Sequence, residues 1–589
     1  MSLARILACI ALGASVAHAQ PAPQPIARDT AVTVAPVPSP SWYDRLGFGQ
    51  RFTGDVVISG ESYAATGIDA RRPSGAWRLS SSPRLTLFGG MSVGVDLLLS
   101  NEQRSLRSSG QGISQVGLTP TWRWATLMAG DFTRDYSKYT TQGLRVRGGG
   151  FDLRPGLFHF GLQAGRTQRA VSTVEDGPVF ARNMLAGVVG VGHVTGPSLE
   201  MVALHAKDII GSAERDLLVR DTLFDDPTIA DTLPDALRPR PNTTNRPQEN
   251  FVLGLTGRLP LFGRRLTLRG EAAGAMLTRD LTAPRLHGDS VDRIAHAAAS
   301  IVPLYLSSAG DIAYSGEMAL NLTRGSLKAG YEYVGAGYSS LGLGYLINDR
   351  KAYSLGGSLR AVADHVFLLG QYQHQNDNLL HQRTATTSRD AGTATITARL
   401  TNALTLSFTG LANIMANDAP VDTFFVDMRS TALTGNLSVG QKVFGLQSSV
   451  SLAVGTQQTT DGNRVRGTPT VRVQNVSTAW QLALTPSVSV SPSVSGVLTS
   501  VVGQPSQRNV FAGFRGQGRM LHDRLRPSAQ ISHTFANGRQ GFGVTTQLGY
   551  ELPYASQLSL TSRYNSYSAF AGRPAFTESF ITTSLSRSF

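Results

Sequence analysis

The chain has 589 residues, of which 16% are charged and 41% hydrophobic, with 62 glycines and a formal net charge of +14. Soluble domains carry roughly 25% charged residues, so a string of them fits poorly, and the chain is too apolar to be disordered. Beyond the N-terminus no run approaches the roughly 18 apolar residues that a membrane helix needs, which leaves an all-β chain rich in Gly, Ser and Thr.

Met1–Arg5 is positive, Ile6–Val16 is apolar, and Ala17-His18-Ala19 is a small-x-small cleavage site. Residues 1–19 therefore read as a secretory signal peptide, and the mature chain is expected to begin at Gln20. The single cysteine, Cys9, lies inside this signal. The mature chain thus has no thiol, no disulfide, no cysteine metal site and no c-type haem attachment, and no cofactor is expected. Dispersed arginines in an exported chain read as a solvated surface or a pore lining, so no nucleic-acid partner is expected. Residues 20–50 are interrupted by Pro21, Pro23, Pro25, Pro36, Pro38 and Pro40 and read as an extended periplasmic linker.

From Arg51 onward the pattern has a period of two. Met91, Val93, Val95, Leu97 and Leu99 alternate with Ser92, Gly94 and Asp96, and Leu266, Leu268 and Gly270 alternate with Thr267, Arg269 and Glu271. Each such segment has one apolar and one small-polar face. Runs of about 10–14 residues match tilted strands that cross a membrane rather than the shorter strands of a soluble sandwich. The connections alternate as well. Short ones at Trp124–Thr126, Arg154–Gly156, Ala363–His365 and Pro553–Ala555 separate longer ones, chief among them 208–248 and 280–311. That asymmetry fits periplasmic turns and external loops. The expected fold is a single transmembrane antiparallel up-and-down β-barrel over 51–589, of about 26 strands within a range of 24–28.

The last strand places Ile581, Leu585 and Phe589 on one face, opposite Ser584, Ser586 and Ser588. It resembles the C-terminal signal by which outer-membrane barrels are recognised for assembly, although Arg587 departs from the usual hydrophobic residue. The resemblance implies the barrel assembly machinery as a partner, beside outer-membrane lipid. Trp122 and Trp124, next to a short turn, suit an aromatic girdle at the periplasmic interface. Two further stretches, Gly148–Phe160 and Gly337-Tyr338-Ser339-Ser340-Leu341-Gly342 with Asn348-Asp349, resemble a large and mostly uncharacterised family of Gram-negative outer-membrane barrels. That likeness implies the architecture and the outer membrane, and no activity.

The histidines are scattered, and none sits in a nucleophile elbow or a His-Glu-x-x-His spacing. An enzyme is therefore not expected, and neither catalytic nor metal-ligating residues are assigned. Asp221, Asp225, Asp226, Asp231 and Asp235 make the long loop acidic without an EF-hand spacing, so calcium binding is left open. An Arg facing the bilayer midplane costs roughly 2–4 kcal/mol, so charges on strands should face the lumen. Polar parity assigns Arg145, Arg147, Arg269, Arg360, Arg399, Arg515 and Arg519 to the lumen, with Glu271, Glu317 and Glu551.

Barrels of 16–18 strands already leave an aqueous channel, so one of 26 has to be narrowed. The leading reading is a channel or transport component for polar solutes. It is restricted by its own loops (208–248, 280–311) or by the 20–50 linker, and mildly favours anions. The alternative is a structural sheath whose lumen holds an unidentified lumenal or periplasmic protein partner, or an export substrate.

Overall fold

The computed structural model describes residues 52–87, 91–101, 115–170, 179–212, 246–286, 303–463, 465–570 and 572–588. The signal peptide, the linker, the acidic 221–235 stretch and Phe589 fall outside the described residues.

Of 28 hydrogen-bonded segments, Phe52–Thr53 and Asp55–Thr66 form one strand interrupted at Gly54. Gly75–Ser81 and Arg84–Leu87 form another, broken at Pro83, which has no N–H to give the ladder. The result is 26 strands. These two are β1 and β2, followed by β3 (Met91–Ser100), β4 (Gln115–Trp122), β5 (Ala125–Thr133), β6 (Arg145–Leu153) and β7 (Phe158–Gln168). Next come β8 (Arg182–Gly192), β9 (Ser198–Asp208), β10 (Glu249–Leu261), β11 (Leu266–Thr278), β12 (Ser308–Leu322) and β13 (Gly325–Val334). Then follow β14 (Arg350–Ala361), β15 (Val366–Asp377), β16 (Thr387–Arg399), β17 (Leu404–Asn417), β18 (Asp427–Val443) and β19 (Leu446–Asp461). The last are β20 (Val471–Thr485), β21 (Val488–Val501), β22 (Gln507–Gly518), β23 (Leu525–Ala536), β24 (Arg539–Leu552), β25 (Ser556–Tyr567) and β26 (Phe576–Ser588).

Every strand pairs antiparallel with its predecessor, and β26 pairs with β1 from Asp55↔Ser588 to Thr66↔Thr577. The sheet is therefore a closed barrel with no free edge. Residues directly opposite in an antiparallel ladder lie on one face, so the register carries a single face assignment round the whole barrel. One face presents Ile58, Leu185, Leu255, Leu355, Phe408 and Leu585 uncovered. The opposite face carries most of the strand charges and the folded segments described below, and is the lumen.

Aromatic side chains mark both ends of the outer face. Trp122 and Trp124 lie 6.0 Å apart beside the tight β4–β5 turn. Toward the long-loop end Tyr314 stacks on Tyr333 at 5.0 Å, and Tyr331 meets Tyr353 at 4.9 Å.

Candidate functional site

Two segments leave the wall at the long-loop end and pack against its inner face. One runs 134–144, between β5 and β6, and the other 335–349, between β13 and β14. Beneath them the inward residues are apolar or small: Val146, Met184, Val202, Leu204, Val252, Ala273, Ala313 and Val334 are all buried. Tyr139 and Tyr338 are fully buried among them, with ring centroids 6.2 Å apart. A phenol of this size buries about 150–250 Å², which at about 25 cal/mol per Å² is a gross gain of about 4–6 kcal/mol each. The approach is close enough to need glycine. A Cβ on Gly342 would overlap the Leu204 side chain and the Thr140 carbonyl, and one on Gly254 would sit 2.8 Å from the Thr140 hydroxyl.

Polar contacts then fix the segments to each other and to the wall. The Tyr338 hydroxyl donates to the Tyr139 carbonyl (2.9 Å), and the Ser340 hydroxyl to the Thr140 carbonyl (2.8 Å). Asn250, fully buried on β10, donates to the carbonyls of Met276 and Ser339 (both 3.0 Å) and accepts from the Leu341 amide (2.9 Å). Glu271 accepts from the Tyr139 amide (2.9 Å) and from the Ser137 hydroxyl. Glu332 accepts from the Tyr139 hydroxyl (3.0 Å) and pairs with Lys138 (2.8 Å) and Arg350 (3.3 Å). Burial pushes the phenol of Tyr136 up to about 12, and those of Tyr139 and Tyr338 are raised for the same cause, so all three stay neutral, and Tyr139 and Tyr338 serve as donors.

Below the folded segments the wall carries a compact ionic group. Asp152 on β6 pairs with Arg134, with Arg154 (3.3 Å) and with Nε2 of His159 (3.3 Å), whose Nδ1 lies 2.8 Å from Glu200. Both ring nitrogens of His159 are thus held by carboxylates, and neither is left to take a proton from a nucleophile. A lumenal recess of about 520 Å³ opens beside this group. Lys138, Arg154, Arg258 and Arg269 face Glu200, Glu271, Glu317 and Glu332 around it. Opposite charges interleaved at this density can orient a polar solute without holding a net ion.

The register places Arg269, Glu271, Glu317, Arg360, Arg399, Arg515 and Glu551 on the inward face, and Arg519 follows β22 with the same parity. Only some of them come together. Arg269 and Glu317 lie 3.9 Å apart at the recess, Glu551 pairs with Arg526, and Arg519 binds the Pro486 carbonyl (2.7 Å) far from it in sequence.

Arg145 and Arg147 do not belong in the lumen. Arg147 lies opposite Arg166, on the face shared by Phe151 and Leu162, and both arginines sit beside Asp131. The sequence reading failed there because Val146 looks outward-facing until the folded segment that covers it is known.

The folded pair 134–144 and 335–349 is distinct from the two loops expected to restrict the lumen, 208–248 and 280–311, whose residues 213–245 and 287–302 fall outside the described residues. Sequence reasoning passed over Asn250, Tyr139, Asp152 and His159. A signal was present: β8 and β9 are apolar on both faces, as in Val188-Val189 and Val202-Ala203-Leu204, where a strand with a wet lumen side should alternate. Ile581 and Leu585 face outward, Leu585 opposite Ile58 and Leu558 at the closing seam.

No family model matches the chain, and no curated protein does. Among solved structures, the Pseudomonas aeruginosa protein OpdK with vanillate matches at 13% identity, over 58% of this chain and 93% of that one, with a TM-score of 0.30. The translocation pore of the P pilus usher PapC matches at 10% identity, over 91% and 99%, with a TM-score of 0.28. A BenF-like porin from Pseudomonas fluorescens matches at 9%, over 58% and 92%, with a TM-score of 0.31. Likenesses this slight do not bear on what the chain does.

Proposed function

We propose that the protein is an outer-membrane channel for polar solutes, restricted by the folded segments 134–144 and 335–349. The outer face supports the membrane setting. Leaving a Leu or Phe in water forgoes about 1.5–3 kcal/mol of burial each, and the uncovered apolar residues extend right round the barrel, so lipid is the solvent that face needs. The observation that carries the channel reading is the pair of segments anchored inside the lumen over a charged recess. A structural wall has no need of them, whereas a pore of this strand number needs a constriction.

Selectivity is expected to be weaker than the sequence suggests. Arg145 and Arg147 leave the lumen and Arg182 and Arg350 join it, together with the carboxylates of Asp152, Glu200, Asp208 and Asp311, so the excess of inward positive charge shrinks. The mild anion preference thereby becomes a near balance. The sheath reading draws on the other half of the barrel, where β16–β25 line the lumen mainly with Ser, Thr, Asn and Gln beside Arg399, Arg515 and the Arg526–Glu551 pair, with no packed pair like 134–144 and 335–349 among the described residues.

Planar-bilayer conductance of the wild type and of a variant lacking 336–347 tests the proposal. The deletion should raise single-channel conductance if the segment narrows the path. Equal conductance in both would remove the restricted-channel reading, and massive conductance in both would favour the sheath.

A further inference from the structure

The arginines displaced from the lumen have a different use. Arg147 grips both carboxylate oxygens of Asp131 (3.0 and 2.9 Å), and Arg145 lies 3.9 Å from the same group. Asp131 also accepts from the Val116 amide (3.1 Å). Arg166 stands directly opposite Arg147 across the β6–β7 ladder, and Arg169 follows just beyond β7. Among the described residues, Asp131 is the one carboxylate on the outer face of β5–β8, so the patch is strongly positive. Like charges directly opposite each other destabilise a sheet unless an anion offsets them.

The position of the patch narrows the kind of anion. Eight residues separate Phe158, at the short-turn end, from Arg166. At about 3.4 Å per residue and a tilt of about 40°, that places Arg166 about 20 Å above Phe158. The lipid-facing band of such barrels is about 25 Å tall, so the guanidiniums stand at its upper margin, where an Arg costs only about 0–1 kcal/mol. Directly below on the same face come Ala164, Leu162, Phe160 and Leu185. A recess of about 670 Å³ beside them is lined by the outward residues Arg147, Ala164, Arg166, Arg169 and Asn183. A ligand with a phosphate at the margin and acyl chains running downward satisfies both halves of this surface.

We propose that Arg145, Arg147, Arg166 and Arg169 form an outward-facing site for the phosphorylated headgroup of an acylated glycolipid in the external leaflet. Arg147 and Arg145 are held in place by Asp131, and Arg166 and Arg169 supply the remaining donors in the fork geometry that suits phosphate. The site rests on the membrane reading above, but not on conduction.

The test is native mass spectrometry of the full mature chain in detergent, titrated with bisphosphorylated lipid A and with its dephosphorylated form. The wild type should bind the phosphorylated lipid about tenfold better, the size expected for one or two charge-assisted hydrogen bonds. The double variant Arg166→Gln with Arg169→Gln, which keeps the Arg147–Asp131 pair, should lose that preference and conduct as the wild type does. Equal binding of both lipids by the wild type, or an unaltered preference in the folded variant, overturns the site. Displacement of lipid A by inorganic phosphate at the same concentration would also overturn it, in favour of a simple ion site. Insertion into phosphatidylcholine bilayers separates the two readings. A barrel that inserts but ignores the phosphate loses the lipid site alone, and one that enters no bilayer loses the membrane reading as well.

Discussion

Asn250→Ala is the substitution from which the most can be learned. Its side chain is fully buried at the joint between β10 and the 335–349 segment and makes three hydrogen bonds, two of them to that segment. Removing it takes a donor from the carbonyls of Ser339 and Met276, the latter keeping its place in the ladder, and leaves the amide of Leu341 without its acceptor. A buried polar group left unpaired costs about 1–3 kcal/mol. Water entering the vacated space satisfies part of that demand, which leaves a net loss of about 2–4 kcal/mol for docking of the segment. At 1.4 kcal/mol per factor of ten, the undocked population rises about 30- to 1000-fold. The barrel itself should survive, because the ladder hydrogen bonds of β10 to β9 and β11 run through the backbone. Hydrogen exchange over Tyr338–Gly344, read by mass spectrometry on the folded protein, should therefore accelerate by a factor in that range while exchange in β10 stays slow. Single-channel recordings should show a higher or noisier conductance. Unchanged protection of Tyr338–Gly344 would refute the view that Asn250 clamps the segment.

Ile581→Arg should lower the yield of heat-modifiable barrel in the membrane fraction. Ile581 faces outward on β26 beside the closing seam, where an Arg costs about 2–4 kcal/mol near the midplane, whereas the native Arg587 lies near the strand end. An undiminished yield would move that face away from lipid. Asp152→Asn should loosen the 134–144 segment and make the recess more positive, because Arg134, Arg154 and His159 lose the carboxylate they share. The reversal potential should move toward anions, and an unmoved potential would exclude the recess from the ion path.

The sequence by itself settled the architecture. Alternation of side chains over long runs needs only the two-residue period of a strand, and alternation of loop lengths needs only a wall whose two ends differ, so strand number and closure were legible without any long-range contact. The inward placement of Arg269, Glu271 and Glu317 followed from the same local period. What it could not supply was which surface covers a given face. Val146 and Val252 point into the lumen because Tyr139 and Tyr338 arrive there from loops at opposite ends of a ten-strand arc. An apolar residue under such a cover has the same local pattern as one facing lipid. That ambiguity sent Arg145 and Arg147 to the wrong side of the wall and hid Asn250, whose three partners come from 26 to 91 residues along the chain. Parity defines two faces of every strand, and only packing across the barrel decides what each face meets.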